Sequence, residues 1–320
     1  MSITNENTPV VSVIVITYNA ETTIAQTIES IVAQKTDYPF EIIIGEDCSP
    51  DNTYSVCQQY AAKHDNITLI RNSSNLGLVH NWINCLNLCK GKYVMNCAGD
   101  DYWHNPNKIQ LQVDFMEANP NCVACHTEID VYNETTKRLT PSYKREKGLK
   151  VPQGKIQKEI LAGRDHISAV TLCYRKSVLD ERLPKDKFIE LKFPREDWPT
   201  LLIVSAYGDI MYLPVSTATY RVGIESVTRT SDYGKIAQRL HRDKIMTEYL
   251  YSLFPEWGPF KDGPYFDNIK YHQMMLAAYR NNDYKYAKKF ANLDCYPTTA
   301  TRMAQTYVSF KLYRLYKMKQ

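Results

Sequence analysis

Apolar and polar positions follow two alternating periods over roughly the first hundred residues. Val10–Ile16 is a short β-branched run that reads as a buried strand, and Glu21–Gln34 follows with Ile24, Ile28, Ile31 and Val32 at helical spacing. The couple recurs as Glu41–Gly45 with Asn52–Lys63, and as Ile67–Arg71 with Val79–Cys89. A fourth strand, Lys92–Cys97, follows the Lys90-Gly91 turn. Asp51, with Ser49 nearby, is placed to cap the second helix. Near-continuous apolar strands alternating with helices predict an α/β fold with a mostly parallel sheet covered on both faces. Ligands of such sheets bind beyond the carboxyl ends of the strands, so the residues just after each strand matter most.

After Asp101 the order becomes mixed. The spacing predicts a helix over Pro106–Ala118, a strand over Cys122–Val131 and a polar, basic loop or hairpin over Thr135–Gly154. A short helix over Lys155–Ala162, a strand over Ser168–Tyr174, a helix over Thr200–Tyr207 and a strand over Asp209–Leu213 follow. Beyond about Arg229 the pattern is purely helical, over Tyr233–Leu253, Asp267–Asn281, Tyr284–Leu293 and Arg302–Met318, interrupted by the Pro/Gly-rich Pro255–Pro264. The expected organisation is an α/β domain over residues 1–229 and a helical C-terminal region over residues 230–320.

Composition narrows the class. A hydrophobic content of 44% with 23% charged residues excludes a disordered or collagenous chain, and 320 residues bury enough surface to need no disulfide or metal staple. The 24 tyrosines suit half-wet grooves and interfaces better than a dry core. A net charge of +4 is too small to mark a nucleic-acid binder. Its placement is uneven: Arg302, Lys311, Arg314, Lys317 and Lys319 lie in an acid-free stretch from Cys295 to Gln320, which leaves −1 for the rest of the chain. Nine cysteines, an odd and scattered set, fit a reducing cytoplasm better than a secreted disulfide framework. MSITNENTP has no basic leader segment, and no stretch approaches the ~20 apolar residues that span a bilayer. The expectation is a soluble cytoplasmic protein, or one resting on the inner face of the membrane.

Three strand ends carry candidate chemistry. After the first come Thr17, Tyr18 and Asn19: a ring able to stack on a planar base, flanked by hydrogen-bonding groups, or simply a turn. After the second, Glu46 and Asp47 offer carboxylates to a base or a sugar hydroxyl; helix capping needs only Ser49 or Asp51. After the fourth, Asp100 and Asp101 are adjacent acids, costly together unless a cation or several donors compensate. Hard oxygens of this kind suit Mg²⁺ or Mn²⁺ shared with substrate phosphates. The alternative is an acid cluster at the start of the helix near Pro106.

The strings SVIVITYNAETTIAQTIESIVAQ, IIIGEDCSPDNT, NLGLVHN and KGKYVMNCAGDDYW together resemble family 2 glycosyltransferases with the GT-A fold, over about the first 120 residues. The likeness continues more weakly in Arg195-Glu196-Asp197-Trp198-Pro199 and in a strand over Ala218-Thr219-Tyr220-Arg221. The resemblance implies a nucleotide-diphospho-sugar transferase-like sheet. It gives Tyr18 and Asp47 the base, with Thr17 and Asn19 adding contacts and Arg71 near the base or phosphates. It gives Asp100 and Asp101 the divalent metal and sugar diphosphate, and Asp197 the part of catalytic base, with Glu196 beside it. One departure stands out: Ala98 occupies a position where the family pattern carries an acid.

The implied reaction is inverting transfer from a UDP-linked or similar nucleotide sugar to a glycan or lipid-linked acceptor, in bacterial surface-polysaccharide synthesis. Asp197 would take the acceptor proton while a metal on Asp100 and Asp101 offsets charge on the departing diphosphate. A rival reading is a GT-A-like module that binds a glycan or partner without turnover, which Ala98 favours. TYNAET lacks the glycines of a dinucleotide-binding turn. Cys122-x-x-Cys125-His126 has no second ligand pair at zinc spacing. His166 either touches the acceptor or serves a turn. The aromatic and basic residues from Phe310 to Lys319 suit either an anionic membrane surface or a solvated helix end.

Overall fold

The computed structural model describes residues 8–223, 230–260, 264–293 and 298–318, with backbone alone for 264–269 and 317–318. The expected division at 229/230, Cys295, and the side chains of Lys317 and Lys319 lie outside the described residues. The chain forms two compact units: one runs to Glu190 and resumes over Arg195–Val222, and the other comprises Leu191–Pro194 and the residues from Gly223 onward.

The first unit begins with three strand–helix couples and a fourth strand: β1 (Val11–Thr17), α1 (Ile24–Val32), β2 (Phe40–Glu46), α2 (Thr53–Ala61), β3 (Ile67–Arg71), α3 (Leu78–Leu88) and β4 (Tyr93–Asn96). Their sheet order is β3-β2-β1-β4, all parallel. Val11, Val13, Ile14 and Val15 are almost wholly buried, as a central strand covered on both faces requires. Ile24, Ile28 and Ile31 recur every three to four residues and pack one face of α1 on the sheet.

The unit continues through α4 (Lys108–Ala118), β5 (Cys122–Asn133), β6 (Arg138–Thr140), α5 (Tyr143–Glu146), α6 (Gln157–Leu161), β7 (Cys173–Arg175), α7 (Lys176–Arg182), α8 (Lys185–Glu190), α9 (Asp197–Val204) and β8 (Asp209–Val222). Here the sheet becomes mixed: β7 is antiparallel to both β4 and β5, β6 is antiparallel to β5, and β8 runs parallel to β5.

Several expectations need correction. The strand expected over Ser168–Tyr174 is a 3₁₀ turn, Ala169–Thr171, followed by β7. Ser168 O accepts both the N–H and the hydroxyl of Thr171, at 2.9 and 2.7 Å, a local closure that competes with a ladder. The two strands expected over Asp209–Leu213 and Ala218–Arg221 are one, β8, whose register with β5 slips between Leu213 and Ala218; the slip accommodates Pro214. The expected Thr200–Tyr207 helix starts at Asp197, and α7 and α8 lie where none was expected. The Thr135–Gly154 stretch contains the hairpin strand β6 and the short helix α5.

The second unit is helical: α10 (Tyr233–Leu253), α11 (Pro264–Arg280), α12 (Tyr284–Ala291), α13 (Thr299–Met303) and α14 (Tyr307–Met318). Asp232, Asp283 and Thr298 cap three of these helices by accepting N–H groups of their first turns. One helix expected over Arg302–Met318 is two, because the Thr306 hydroxyl accepts Ser309 N–H and opens a new first turn. Phe310 is fully buried and stacks on Tyr279 at 4.7 Å.

Candidate active site at the strand ends

Because β1 lies between β2 and β4, the residues that leave these three strands meet at one edge. Thr17 is in register with Glu46, Asp47 N–H donates to Thr17 O at 3.0 Å, and Gly99 N–H donates to Ile16 O at 2.9 Å. The approach at Gly99 is close: a Cβ there would lie 2.5 Å from Thr17 Oγ1. That hydroxyl oxygen is buried without a hydrogen-bond partner. Tyr18 projects with 46% of its surface exposed. Asn19 has a positive φ of 55° and donates its N–H to Ser49 Oγ at 3.0 Å.

Asp47 is buried and already engaged. Its Oδ1 accepts from Asn72 Nδ2 (2.9 Å) and Leu76 N–H (2.8 Å), and its Oδ2 from Gly77 N–H (2.8 Å). A carboxylate offers about four acceptor positions, so one remains, on Oδ2. Asp47 thereby pins the loop before α3, where Gly77 takes a φ of 86°. Glu46 binds Ser49 N–H through Oε1, while Oε2 lies 3.4 Å from Arg71 Nε. Arg71 also stacks over Tyr54 at 4.2 Å, so its guanidinium serves the β2–β3 end.

The acid turn after β4 is held from two sides. Thr23, just before α1, and Thr27 of α1 donate their hydroxyls to Gly99 O at 2.8 and 3.1 Å, and Thr27 also donates to Asp101 O at 2.6 Å. From β8, Arg221 N–H donates to Asp101 Oδ1 at 2.9 Å. Asp100 is exposed and Asp101 buried. Burial, then the charge of Asp100, pushes the Asp101 carboxyl well above its ordinary range, against an opposing pull from Arg221. Asp100 is also raised, first by desolvation, but solvent still reaches it, so the larger effect belongs to Asp101.

Two adjacent hard-oxygen acids, one raised by burial and the other by burial and its neighbour's charge, fit a divalent cation, which would favour the ionised form of both. Among the described residues no three His, Cys, Asp or Glu side chains form a complete cage. A cation here would complete its shell with substrate oxygens and water. At the other metal candidate, Cys122 Sγ bonds Ala124 O, and His126 Nδ1 faces Lys144 Nζ at 3.3 Å, a cation rather than a further ligand.

A second acidic group gathers around Tyr174 of β7. Because β7 is antiparallel to β4, the segment before β7 lies where β4 ends. Asp165 and His166 lie in this segment. Asp165 Oδ1 accepts Ile167 N–H at 2.9 Å; His166 is exposed with a φ of 55°. Asp197 opens α9, half-buried, its Oδ1 accepting Trp198 N–H at 2.7 Å; Trp198 Nε1 in turn donates to Ile160 O. Burial, followed by the charge of Asp197, pushes Glu196 up to about 8. The Tyr174 hydroxyl is buried and unpartnered, and Asp197, Glu196 and Asp165 all act on it electrostatically.

Thr17, Tyr18, Asn19, Asp47, Asp100 and Asp101 are thus brought to one edge, and Asp197 belongs to the acidic group around Tyr174. Sequence reasoning missed Asn72, Asp165, Tyr174 and Arg221 as parts of these groups. The Tyr-Arg pair ending the last strand was a signal for Arg221, whose guanidinium stacks 5.0 Å from Tyr102 and bonds Gln26. A cavity of about 490 Å³ lies between α3 and α8 near Asn84 and Pro184 and holds none of these residues.

The family model described as Glycosyl transferase family 2 matches residues 12–183, more than half of the chain. The chain belongs to glycosyl transferase family 2. The matched stretch includes β1 to β4 and the acid turn, and stops before Asp197. Within the family, an uncharacterized protein of Mycobacterium tuberculosis (strain ATCC 25618 / H37Rv) is 28% identical over 66% of this chain and 58% of its own. The putative glycosyltransferase EpsE of Bacillus subtilis (strain 168) is 37% identical over 39% of this chain and 45% of its own. The chain thus spans only about half to three fifths of the length of these curated relatives. Among solved structures, the mannosyltransferase PcManGT from Pyrobaculum calidifontis, in complex with GDP-Man and Mn²⁺, has a TM-score of 0.53 at 18% identity, covering 97% of this chain and 82% of its own. S. aureus TarS 1-349 in complex with UDP has a TM-score of 0.50 at 20% identity, covering 97% and 92%. These likenesses show the fold: the mixed α/β sheet flanked by helices of the GT-A glycosyltransferases.

Proposed function

We propose that this family 2 chain is an inverting, metal-dependent transferase. It moves a sugar from a nucleotide-sugar donor, with UDP sugars the class to test first, to a hydroxyl of a glycan or lipid-linked acceptor. The observation that carries this reading is the meeting of the β1, β2 and β4 ends, which sets Tyr18, Asp47 and Asp100 around one edge of the sheet. Relatives support the substrate class. One, 36% identical over 33% of this chain and 41% of its own, is named UDP-Glc:alpha-D-GlcNAc-diphosphoundecaprenol beta-1,3-glucosyltransferase WfaP. Bacterial surface-polysaccharide synthesis is the setting we infer. The catalytic domain would be residues 1–229, with residues 230–320 as a helical extension. The protein would work in the cytoplasm, at the inner face of the membrane where a lipid-linked acceptor is met.

In this reading Tyr18 stacks on the base, the free position on Asp47 Oδ2 accepts a base N–H, and Thr17 Oγ1 gains the partner it lacks. Asn19 and the Arg71 charge border the same edge. Asp100, the exposed member of the acid turn, is the direct ligand for Mn²⁺ or Mg²⁺, while Asp101 contributes charge from behind. A bound dication offsets the negative charge that gathers on the departing diphosphate. Asp197 accepts the proton of the acceptor hydroxyl as its oxygen forms the new bond to the anomeric carbon and the bond to the diphosphate breaks. One displacement inverts that carbon. Asp197→Asn should bind donor nearly as the wild type does and lose ~10²–10⁴ in transfer rate. Unchanged turnover would remove Asp197 from the mechanism.

Ala98 favours a second reading, a GT-A-like module that binds a glycan or partner without turnover. Incubation with a panel of nucleotide sugars and Mn²⁺ separates the two: release of free nucleotide with any donor is incompatible with the binding module.

A further inference from the structure

α14 is amphipathic in an unusual sense: both of its faces are apolar, and only one is covered. Phe310 and Tyr313 pack on Tyr279, with ring centroids at 4.7 and 5.1 Å. Arg314 Nε donates to Tyr279 O at 3.0 Å, and Lys311 Nζ to Asn282 Oδ1 at 2.6 Å. These contacts fix the roll of the helix, so the opposite face cannot turn inward. That face carries Val308, Leu312 and Leu315, spaced four and three residues apart and therefore in one stripe. They are 68%, 58% and 55% exposed, with Tyr307 and Tyr316 at its borders.

The charge around the stripe says what covers it. Residues 283–320 contain eight basic and two acidic side chains. Lys311 stands beside the stripe, three residues after Val308 and four before Leu315, and Lys288 of α12 and Arg302 of α13 are exposed on the neighbouring helices. A second copy of the chain meeting this stripe about a two-fold axis would set basic against basic. An anionic lipid surface meets both the apolar stripe and its charge. The 12 residues of α14 span about 18 Å at 1.5 Å each, too short to cross a bilayer but suited to lying in its interface.

We propose that α14 lies flat in the headgroup layer of an anionic membrane leaflet, with Val308, Leu312 and Leu315 among the acyl chains and the basic residues against the headgroups. The proposal draws on the transferase reading only for its setting, since a lipid-linked acceptor is presented at such a surface.

The test is sedimentation of the full chain with vesicles of phosphatidylglycerol and phosphatidylethanolamine, against vesicles of phosphatidylcholine. The wild type should bind the anionic vesicles, and the bound fraction should fall as salt is raised. Leu312→Glu with Leu315→Glu should weaken binding about tenfold or more, leaving the circular dichroism spectrum unchanged. Lys288→Glu with Arg302→Glu should weaken it and flatten the salt dependence. A wild type that stays in the supernatant with anionic vesicles at low salt overturns the proposal, as does undiminished binding by the leucine variant. So does a leucine variant that turns a dimer into a monomer without affecting sedimentation, which would make the stripe a self-contact. Nucleotide release from UDP sugars without vesicles, measured on the same samples, reports on the transferase reading separately.

Discussion

Glu196 and Asp197 are neighbours in sequence, yet burial separates their chemistry. Glu196 is pushed from its ordinary 4.5 up to about 8, by burial first and by the charge of Asp197 next, with Arg195 opposing. The folded chain therefore holds a proton that the unfolded chain has released between those two values. Stability must fall as pH rises through that window and level off above it. Glutamine carries no such penalty, so Glu196→Gln should melt above the wild type near pH 8 and converge with it near pH 4, as read by thermal melts. An offset independent of pH would show that the carboxyl is not held neutral. At this scale the sequence was legible where a residue's place follows from its position after a strand, as for Tyr18, Asp100 and Asp101. It was silent where the partner is distant along the chain: Arg221 meets Asp101 across 120 residues, and Asn72 meets Asp47 across 25. Tyr174 reads as one more strand residue until the loop with Asp165 and the start of α9 are brought over it.

Among elements, the β4 turn depends on close packing against β1. An added Cβ at Gly99 would lie 2.5 and 2.8 Å from Thr17 side-chain atoms and 3.3 Å from Ile24 Cδ1, all well-fixed groups. Gly99→Ala should cost about 1–3 kcal/mol of stability by overpacking and push Thr17 out of place, raising the donor KM more than it lowers kcat. Denaturant unfolding and steady-state kinetics check the two parts, and a variant with wild-type stability would refute the contact. The first four strands and three helices were readable because burial on both faces imposes long apolar runs. Later elements were not, because local bonds decided them. The hydroxyl of Thr171 closes a turn where apolar residues suggested a strand, Thr306 starts α14 within an unbroken helical pattern, and Pro214 conceals that β8 is continuous.

For the whole molecule, the metal site proposed at the acid turn would link folding to ligand. The charge of Asp100 and burial both act against ionised Asp101, so Mn²⁺ with UDP should stabilise the chain by more than either alone. Mass action gives about 2.7 kcal/mol when the ligand stands at ~100 times its Kd. Thermal melts should show this shift for the wild type and lose its Mn²⁺-dependent part in Asp100→Ala. An equal shift with EDTA present would count against a metal.

The slip in β8 has a consequence for how the chain can change. Between Leu213 and Ala218 this strand advances five residues while its partner β5 advances two, from Thr127 to Ile129. Those three surplus residues act as a reading frame for everything downstream. Removing a single one would leave the strand able to pair, but would carry Val222 into the place of Arg221 and take the N–H of Arg221 away from Asp101. A deletion that looks harmless in a loop-like, proline-containing stretch would in this way rewrite the candidate-site edge from a distance.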